Sequence, residues 1–171
     1  MAVVVGNPKS GSRTLRVAQA VADALAKRLA GSSVMSDGSD RLVVDLADIA
    51  PELFVPGSPT VGALLEAVAG SDVVVVASPT FKATYTGILK SFFDGYGANA
   101  LSAVVAVPVM TGAGPIHALA PEVHLRPLLV ELGASTPTRS LYVTEPQFDD
   151  LDTVIDAWAD TAGPLVARSL T

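Results

Sequence analysis

Val73 to Asp94 have the sequence VVVVASPTFKATYTGILKSFFD, in which a valine run is followed by a turn and then by a helical pattern. A short, continuous apolar run bounded by turn residues is typical of a strand that is buried on both faces, as in a parallel sheet. In open α/β sheets, ligands bind beyond the carboxyl ends of such strands. We therefore expect functional residues in the loop from Ser78 to Gly87.

Apolar runs alternate with helical patterns along the rest of the chain. Strands are predicted at residues 2–5, 41–46, 72–77, 103–109 and 138–143. Helices are predicted from Ser12 to a stop at Gly31, and at residues 61–69, 86–96 and 151–170. Residues 32–40 and 48–59 have the composition of polar or proline-containing loops. Ile116–Leu132 has a helical period, but Pro121 and Pro127 interrupt it and predict a bent or two-part helix.

This alternation predicts one domain over residues 1–171. Five strands separated by helices indicate an α/β fold with a doubly wound parallel sheet. Right-handed crossovers favour a flavodoxin-like three-layer sandwich, in which the strand order is 2-1-3-4-5. In that order the loops after the first and third strands line one crevice, and the turn after the fourth strand lies beside them.

The composition argues against several classes of function. The chain has no cysteine, which excludes disulfides, thiolate metal sites and the cysteine nucleophile of the low-molecular-weight phosphatases that share this fold. A net charge of −6 argues against nucleic acid or an anionic membrane as the main partner. No apolar run is long enough to span a bilayer, and the N-terminus lacks the charged region of a signal peptide. We expect a soluble, cytoplasmic protein.

The loop after the first strand, GNPKSGSRT at residues 6–14, has the chemistry of a phosphate site. It combines hydroxyl groups and cations with free backbone N–H groups at a helix N-terminus, which is what a phosphate group needs. The candidate residues are Lys9, Ser10, Ser12, Arg13 and Thr14. The loop is not a Walker A motif, because Ser12-Arg13 stands where that motif requires its lysine, and it is not G-x-G-x-x-G. A solvent-exposed capping turn is the alternative interpretation.

Three segments together resemble the NADPH-dependent FMN reductases of the flavodoxin-like superfamily, above all the sulfonate-assimilation type. The segments are GNPKSGSRT, VVASPTFKATYTGILKSFFD and PVMTGAGPIHAL. The resemblance extends from Val3 to about Gly133, and it implies the same fold that the strand pattern predicts.

The resemblance also implies which residues bind the flavin. The first loop would bind the FMN phosphate through the matching positions Lys9, Ser12, Arg13 and Thr14. The loop after the third strand would hold the isoalloxazine ring with Pro79, Thr80, Phe81 and Lys82, and the turn after the fourth strand would flank it with Thr111, Gly112 and Ala113. A tyrosine usually stands in this family where this chain has Phe81, so one hydroxyl donor is missing. Phe81 and Tyr85 are candidates for the apolar wall, with ordinary packing as the alternative.

The activity implied by the resemblance is hydride transfer from NADPH, or NADH, to FMN. The reduced FMN would then be supplied to a two-component, flavin-dependent monooxygenase. Two alternatives stay open: an FMN-bound quinone, azo or chromate reductase, and a flavodoxin-type electron carrier. No catalytic acid–base side chain is predicted, because the cofactor carries the chemistry of hydride transfer. Two histidines without a carboxylate cluster at ligand spacing predict no metal site.

The resemblance implies a homodimer or homotetramer. In the family the dimer interface is formed largely by the helix that corresponds to residues 86–96. Phe92, Phe93 and Tyr96 offer more apolar surface than one helix face needs, which agrees with burial by a second subunit. His117, just after the glycine-rich turn, has either a structural role or a role in nicotinamide binding. Lys9, Arg13 and Arg126 are the candidates for contact with a 2′-phosphate.

Overall fold

A computed structural model describes residues 1–30 and 41–170. The predicted helix stop at Gly31 and the predicted loop at residues 32–40 lie outside this part. The five strands are β1 (Ala2–Val5), β2 (Leu42–Asp45), β3 (Val73–Pro79), β4 (Val105–Gly112) and β5 (Leu141–Thr144). All neighbouring strands pair in parallel, in the order β2-β1-β3-β4-β5. The predicted flavodoxin-like sheet is therefore confirmed.

Helices cover both faces of the sheet. They are α1 (Arg13–Leu29), α2 (Pro59–Ala69), α3 (Gly87–Phe93), α4 (Arg126–Glu131) and α5 (Leu151–Ser169). Val73 and Val75 pack in a core with α1 and α5, whereas Val74 and Val76 pack in a second core with α2, α3 and α4. Both faces of β3 are therefore buried, which explains why its sequence is continuously apolar rather than alternating.

The fourth strand is longer than its apolar run predicts. Met110, Thr111 and Gly112 were expected in a turn, but they belong to β4. The physical reason is that β4 is paired on both sides, since Thr111 lies in register with Pro79 of β3 and with Val143 of β5. Backbone pairing on two sides extends a strand beyond the apolar residues that identify it in the sequence.

The segment with Pro121 and Pro127 is broken, as predicted. A short 3₁₀ turn at Pro115–His117 is followed by a π-helical turn at Pro121–Leu125, and α4 begins only at Arg126. The predicted loop at residues 48–59 also contains a 3₁₀ helix, Leu46–Glu52.

The expectation that the helix at residues 86–96 offers apolar side chains to a second subunit is wrong for Phe92 and Phe93. Phe92 and Phe93 are buried within the chain itself, with 0% and 1% of their surface exposed, so they offer no apolar surface to a second subunit. Contact of Arg126 with a 2′-phosphate stays a prediction; its guanidinium donates to Glu122 Oε2 at 2.5 Å and to the carbonyl oxygen of Thr136 at 2.5 Å. It donates to the carbonyl oxygen of Thr138 as well.

Within residues 1–30 and 41–170, none of the helices combines the length and the apolar character that crossing a membrane requires.

Candidate functional site

A cavity of about 360 Å³ opens at the carboxyl edge of the sheet. It is lined by the loop after β1, by the ends of β3 and β4, and by the segment after β5. All the residues predicted to bind a cofactor line it except Ser10 and Lys82. Those that line it are Lys9, Ser12, Arg13, Thr14, Pro79, Thr80, Phe81, Thr111, Gly112 and Ala113. The remaining lining residues are Asn7, Gly11, Glu145 and Phe148.

Ser10 and Lys82 do not line the cavity. The hydroxyl of Ser10 donates to Asp48 Oδ1 at 2.7 Å. Lys82 is exposed in the turn after β3. A cofactor-binding role for these two residues stays a prediction.

The N-terminus of α1 forms one end of the cavity. Ser12 caps the helix, because its Oγ accepts a hydrogen bond from the N–H of Leu15 at 3.2 Å, and its own hydroxyl proton is left to donate. The N–H groups of Arg13 and Thr14 are in the first turn, where no intrahelical acceptor exists. Together with Lys9, these donors and the positive end of the helix dipole favour an anion.

A buried carboxylate holds the loop that leads into this helix. Asp45, at the end of β2, accepts a hydrogen bond from the N–H of Gly11 at 3.1 Å. Gly11 has a φ of +62°, a conformation that a residue with a side chain adopts only with strain. Burial raises the pKa of the Asp45 carboxyl, although hydrogen bonds from the N–H groups of Gly11 and Ala47 oppose that shift. Nothing in the sequence marked Asp45 as part of the site.

The hydroxyl groups of Thr14 and Thr111, both predicted to bind the cofactor, contact each other. Thr14 Oγ1 and Thr111 Oγ1 are 2.9 Å apart, and Asn7 Nδ2 donates to Thr14 Oγ1 at 3.2 Å. Both threonines are buried. Much of their hydrogen-bonding capacity is therefore used to join the loop after β1 to the end of β4.

The other end of the cavity fits a flat ligand with polar atoms at its edge. Thr80 Oγ1 is buried and has no hydrogen-bond partner among the described residues. Such an unpaired hydroxyl costs about 1–3 kcal/mol until a ligand or water pairs with it. Gly112 is beside it, and a Cβ there would come within 2.0 Å of the hydroxyl oxygen of Tyr142, so the tyrosine ring would have to move. Phe81, with 50% of its surface exposed, adds an apolar surface. These features fit the isoalloxazine ring of FMN.

The turn after β3 uses its own backbone donors. The N–H of Phe81 donates to the carbonyl oxygen of Thr84 at 2.9 Å, and the N–H of Thr80 donates to that of Thr111 at 2.7 Å. The N–H groups of these two residues are therefore already paired within the chain. Tyr85 does not line the cavity; it packs against the core beside α3.

Ala83→Gly is expected to raise the free energy of unfolding by about 0.5–1 kcal/mol. Lys82 and Ala83 have φ values of +52° and +68°, which cost free energy in a residue with a Cβ. Urea unfolding measures the change. Ala100→Gly is the control, because Ala100 is not among the residues with a positive φ, and it should lose stability. An Ala83→Gly variant that loses as much as this control would contradict the prediction.

Sequence reasoning missed Glu145 and Phe148. Both lie in the 3₁₀ helix Glu145–Asp150, which follows β5. Glu145 forms an ion pair with Arg13, and the Arg13 guanidinium carbon is 5.4 Å from the centre of the Phe148 ring. The carboxyl end of β5 lies at the same edge of the sheet as that of β4, so topology alone could have included this segment.

The histidines lie in a different groove. His117 and His124 line a surface depression with Ile116, Leu119 and Val123, and neither borders the cavity. In the part of the chain that the structure describes, no group of three or more histidine, aspartate or glutamate side chains could hold a metal ion.

Comparisons with known proteins bear on the family of this chain. The family model described as NADPH-dependent FMN reductase matches residues 1–148. A Pseudomonas aeruginosa protein named FMN reductase (NADPH) is 32% identical over 86% of this chain and 77% of its own length. A Pseudomonas fluorescens protein named NADH-dependent FMN reductase SfnF is 32% identical over 92% of this chain and 79% of its own.

A solved structure of the apo NADH:FMN oxidoreductase EmoB superimposes with a TM-score of 0.82 and 26% identity, covering 99% of this chain and 89% of that one. The family model covers the lining residues of the loop after β1, those at the ends of β3 and β4, and the segment after β5 as far as Phe148. Its match shows that this chain belongs to the NADPH-dependent FMN reductase family.

Proposed function

We propose that the protein is an NAD(P)H:FMN oxidoreductase that binds FMN in the cavity at the carboxyl edge of the sheet. The observation that carries the proposal is that one cavity has two chemically different ends, one for a phosphate and one for a ring. The N-terminus of α1 favours a phosphate, and the unpaired Thr80 hydroxyl beside Gly112 fits the polar edge of a ring. FMN, when bound, supplies the hydride-accepting chemistry, with reduced nicotinamide as the donor.

Five side chains of the cavity have roles that follow from their chemistry. Lys9, Ser12 and Arg13 would hold the phosphate with the N–H groups of the first helical turn. Thr80 would donate its hydroxyl proton to an acceptor on the ring, and Phe81 would pack against the ring face. Orientation of two flat partners, rather than an acid–base pair, is the main contribution of the protein to such a transfer.

The wider role we propose is the supply of reduced FMN to a flavin-dependent monooxygenase. The support is the relationship to reductases that are named for FMN together with NADPH or NADH. The proposed location is the cytoplasm.

Steady-state oxidation of NADPH and NADH, with FMN, FAD and a quinone as acceptors, tests the proposal. We expect FMN-dependent turnover by a protein that is purified without bound flavin. A yellow protein that retains its flavin and reduces the quinone would favour a reductase with a prosthetic group. Inactivity with all three acceptors would contradict the reductase proposal, and FMN binding without turnover would favour an electron carrier.

Ser12→Ala is expected to raise the Kd for FMN about 10- to 100-fold, because it removes a hydroxyl donor from a charged phosphate. Binding of riboflavin, which has no phosphate, should be nearly unchanged. Ser58→Ala is the matched control, since Ser58 caps α2 in the same way at a site that does not line the cavity. Quenching of flavin fluorescence measures all of these constants, and equal losses for FMN and riboflavin would contradict the assignment of the phosphate end.

We also propose that the protein forms a homodimer or homotetramer. Among the described residues, the three most exposed large apolar side chains are Ile116 at 87%, Phe54 at 77% and Leu119 at 68%. Contiguous exposed apolar surface of this kind commonly marks an interface. Light scattering at micromolar concentration tests the association, and a monomer there would count against it.

A further inference from the structure

A carboxylate stands at the end of the cavity that should attract an anion. Glu145 lines the cavity together with Lys9 and Arg13. Its carboxylate forms an ion pair with the Arg13 guanidinium. A negative charge beside one of the two cations opposes the binding of a phosphate there.

Arg13 has contacts on two sides. Glu145 accepts a hydrogen bond from its Nη2, and the Phe148 ring is 5.4 Å from its guanidinium carbon. Lys9, the other cation of the cavity, forms no ion pair with any residue in the described ranges. The two cations therefore differ: Lys9 is available to a phosphate, whereas Arg13 must leave Glu145 or share its donors between two anions.

This ion pair contributes little to the fold. The side chains of Arg13 and Glu145 are 64% and 49% exposed, and ion pairs exposed to this degree typically contribute about 0–1 kcal/mol. The pair is also far apart in sequence, so no helix needs it for local stability. Its removal should leave the protein folded and able to report on ligand binding.

We propose that Glu145 competes with the flavin phosphate for Arg13 and thereby lowers the affinity of the cavity for FMN. The inference rests on the proposed function, and it deepens it: weakened phosphate binding allows FMN to leave after reduction, as a substrate does. Glu145 is in this sense a positioning residue that acts through Arg13. Phe148 keeps the guanidinium at the cavity edge when the ion pair opens.

Glu145→Gln tests the competition by equilibrium binding, without any measurement of turnover. The Kd for FMN should fall about fivefold at low ionic strength, which corresponds to about 1 kcal/mol, the upper value for an exposed ion pair. The Kd for riboflavin should change less than about twofold, because riboflavin has no phosphate to compete. Asp149→Asn is the matched control: it removes one negative charge from the same 3₁₀ helix at a residue that does not line the cavity. Its effect on FMN binding should be small.

The Arg13→Met background separates competition from direct repulsion. If Glu145 acts through Arg13, Glu145→Gln should have little effect on FMN binding once Arg13 is absent. A gain that persists in Arg13→Met, an equal gain for riboflavin, or an unchanged Kd for FMN would each overturn the inference.

The two proposals fail in different ways. A Glu145→Gln variant with unchanged FMN affinity in an active reductase would overturn only the role of Glu145. An inactive wild-type protein whose FMN affinity still responds to Glu145→Gln and Arg13→Met would contradict only the reductase proposal.

Discussion

Gly6→Ala is expected to lower the free energy of unfolding by about 3 kcal/mol. Gly6 follows β1 directly, where the first loop of the cavity passes α3. A Cβ on Gly6 would be 2.4 Å from the Cβ of Leu89, which is fixed to the helix backbone and cannot rotate away. The N–H of Gly6 donates to the carbonyl oxygen of Ala77 at 2.8 Å, and Thr86 Oγ1 donates to the carbonyl oxygen of Gly6 at 2.5 Å. Because these bonds hold the backbone in place, the loop or the helix has to move.

Urea unfolding monitored by circular dichroism measures this effect. Gly62→Ala is the control, since Gly62 lies inside α2 with no atom within 4 Å of the added Cβ. It should be about as stable as the wild type, or up to about 1 kcal/mol more stable, because alanine is the better helix former. FMN affinity should fall in Gly6→Ala and stay unchanged in Gly62→Ala. Wild-type stability of Gly6→Ala would mean that α3 does not approach the end of β1 this closely.

Arg126→Met is expected to lower the free energy of unfolding by about 3 kcal/mol. The Arg126 guanidinium joins the start of α4 to the chain before β5, through Glu122 and the carbonyl oxygens of Thr136 and Thr138. Its side chain is only 23% exposed. The substitution leaves a partly buried carboxylate without its counter-charge and two carbonyl groups without their donor, which costs more than the ion pair itself contributes.

The pH dependence of this loss follows from Glu122. Burial alone would raise the pKa of the Glu122 carboxyl, but hydrogen bonds from Arg126 and from the N–H of Ser140 lower it overall. A carboxyl whose pKa is lower in the folded state adds stability above its unfolded pKa, about 4.3 for glutamate, and that stability is lost as the pH falls through the folded pKa. The difference in the free energy of unfolding between wild type and Arg126→Met should therefore become smaller as the pH falls through the folded pKa of Glu122.

Two controls separate a structural role of Arg126 from a role in nucleotide binding. Arg139→Met replaces an exposed arginine that also precedes β5 in the sequence. It should change the free energy of unfolding by less than about 0.5 kcal/mol. The ratio of kcat/KM for NADPH to that for NADH should stay within about twofold of the wild-type value in Arg126→Met. A loss of NADPH preference at unchanged stability would instead make Arg126 a contact for the 2′-phosphate.

The arrangement of the sheet followed from local patterns. Val73 to Val76 are apolar without alternation because β3 is covered on both faces, and that property is visible in the sequence. Handedness rules then left few strand orders, so the edge at which the loops meet was predictable together with the strands. The phosphate end was predictable for the same reason, because Lys9, Ser12 and Arg13 are close in sequence and converge on one helix start.

The availability of individual donors and surfaces was not predictable in this way. Thr14 and Thr111 pair their hydroxyls although 97 positions separate them, and Arg13 meets Glu145 across 132 positions. Phe92 and Phe93 have the composition of an interface, but their burial depends on how α3 lies against the sheet. Local sequence was sufficient to identify the strands, the helix starts and the residue types at the cavity edge. Which of those residues remain free to bind a ligand depended on long-range contacts, because a polar group can be satisfied by any partner that folding brings within hydrogen-bond distance.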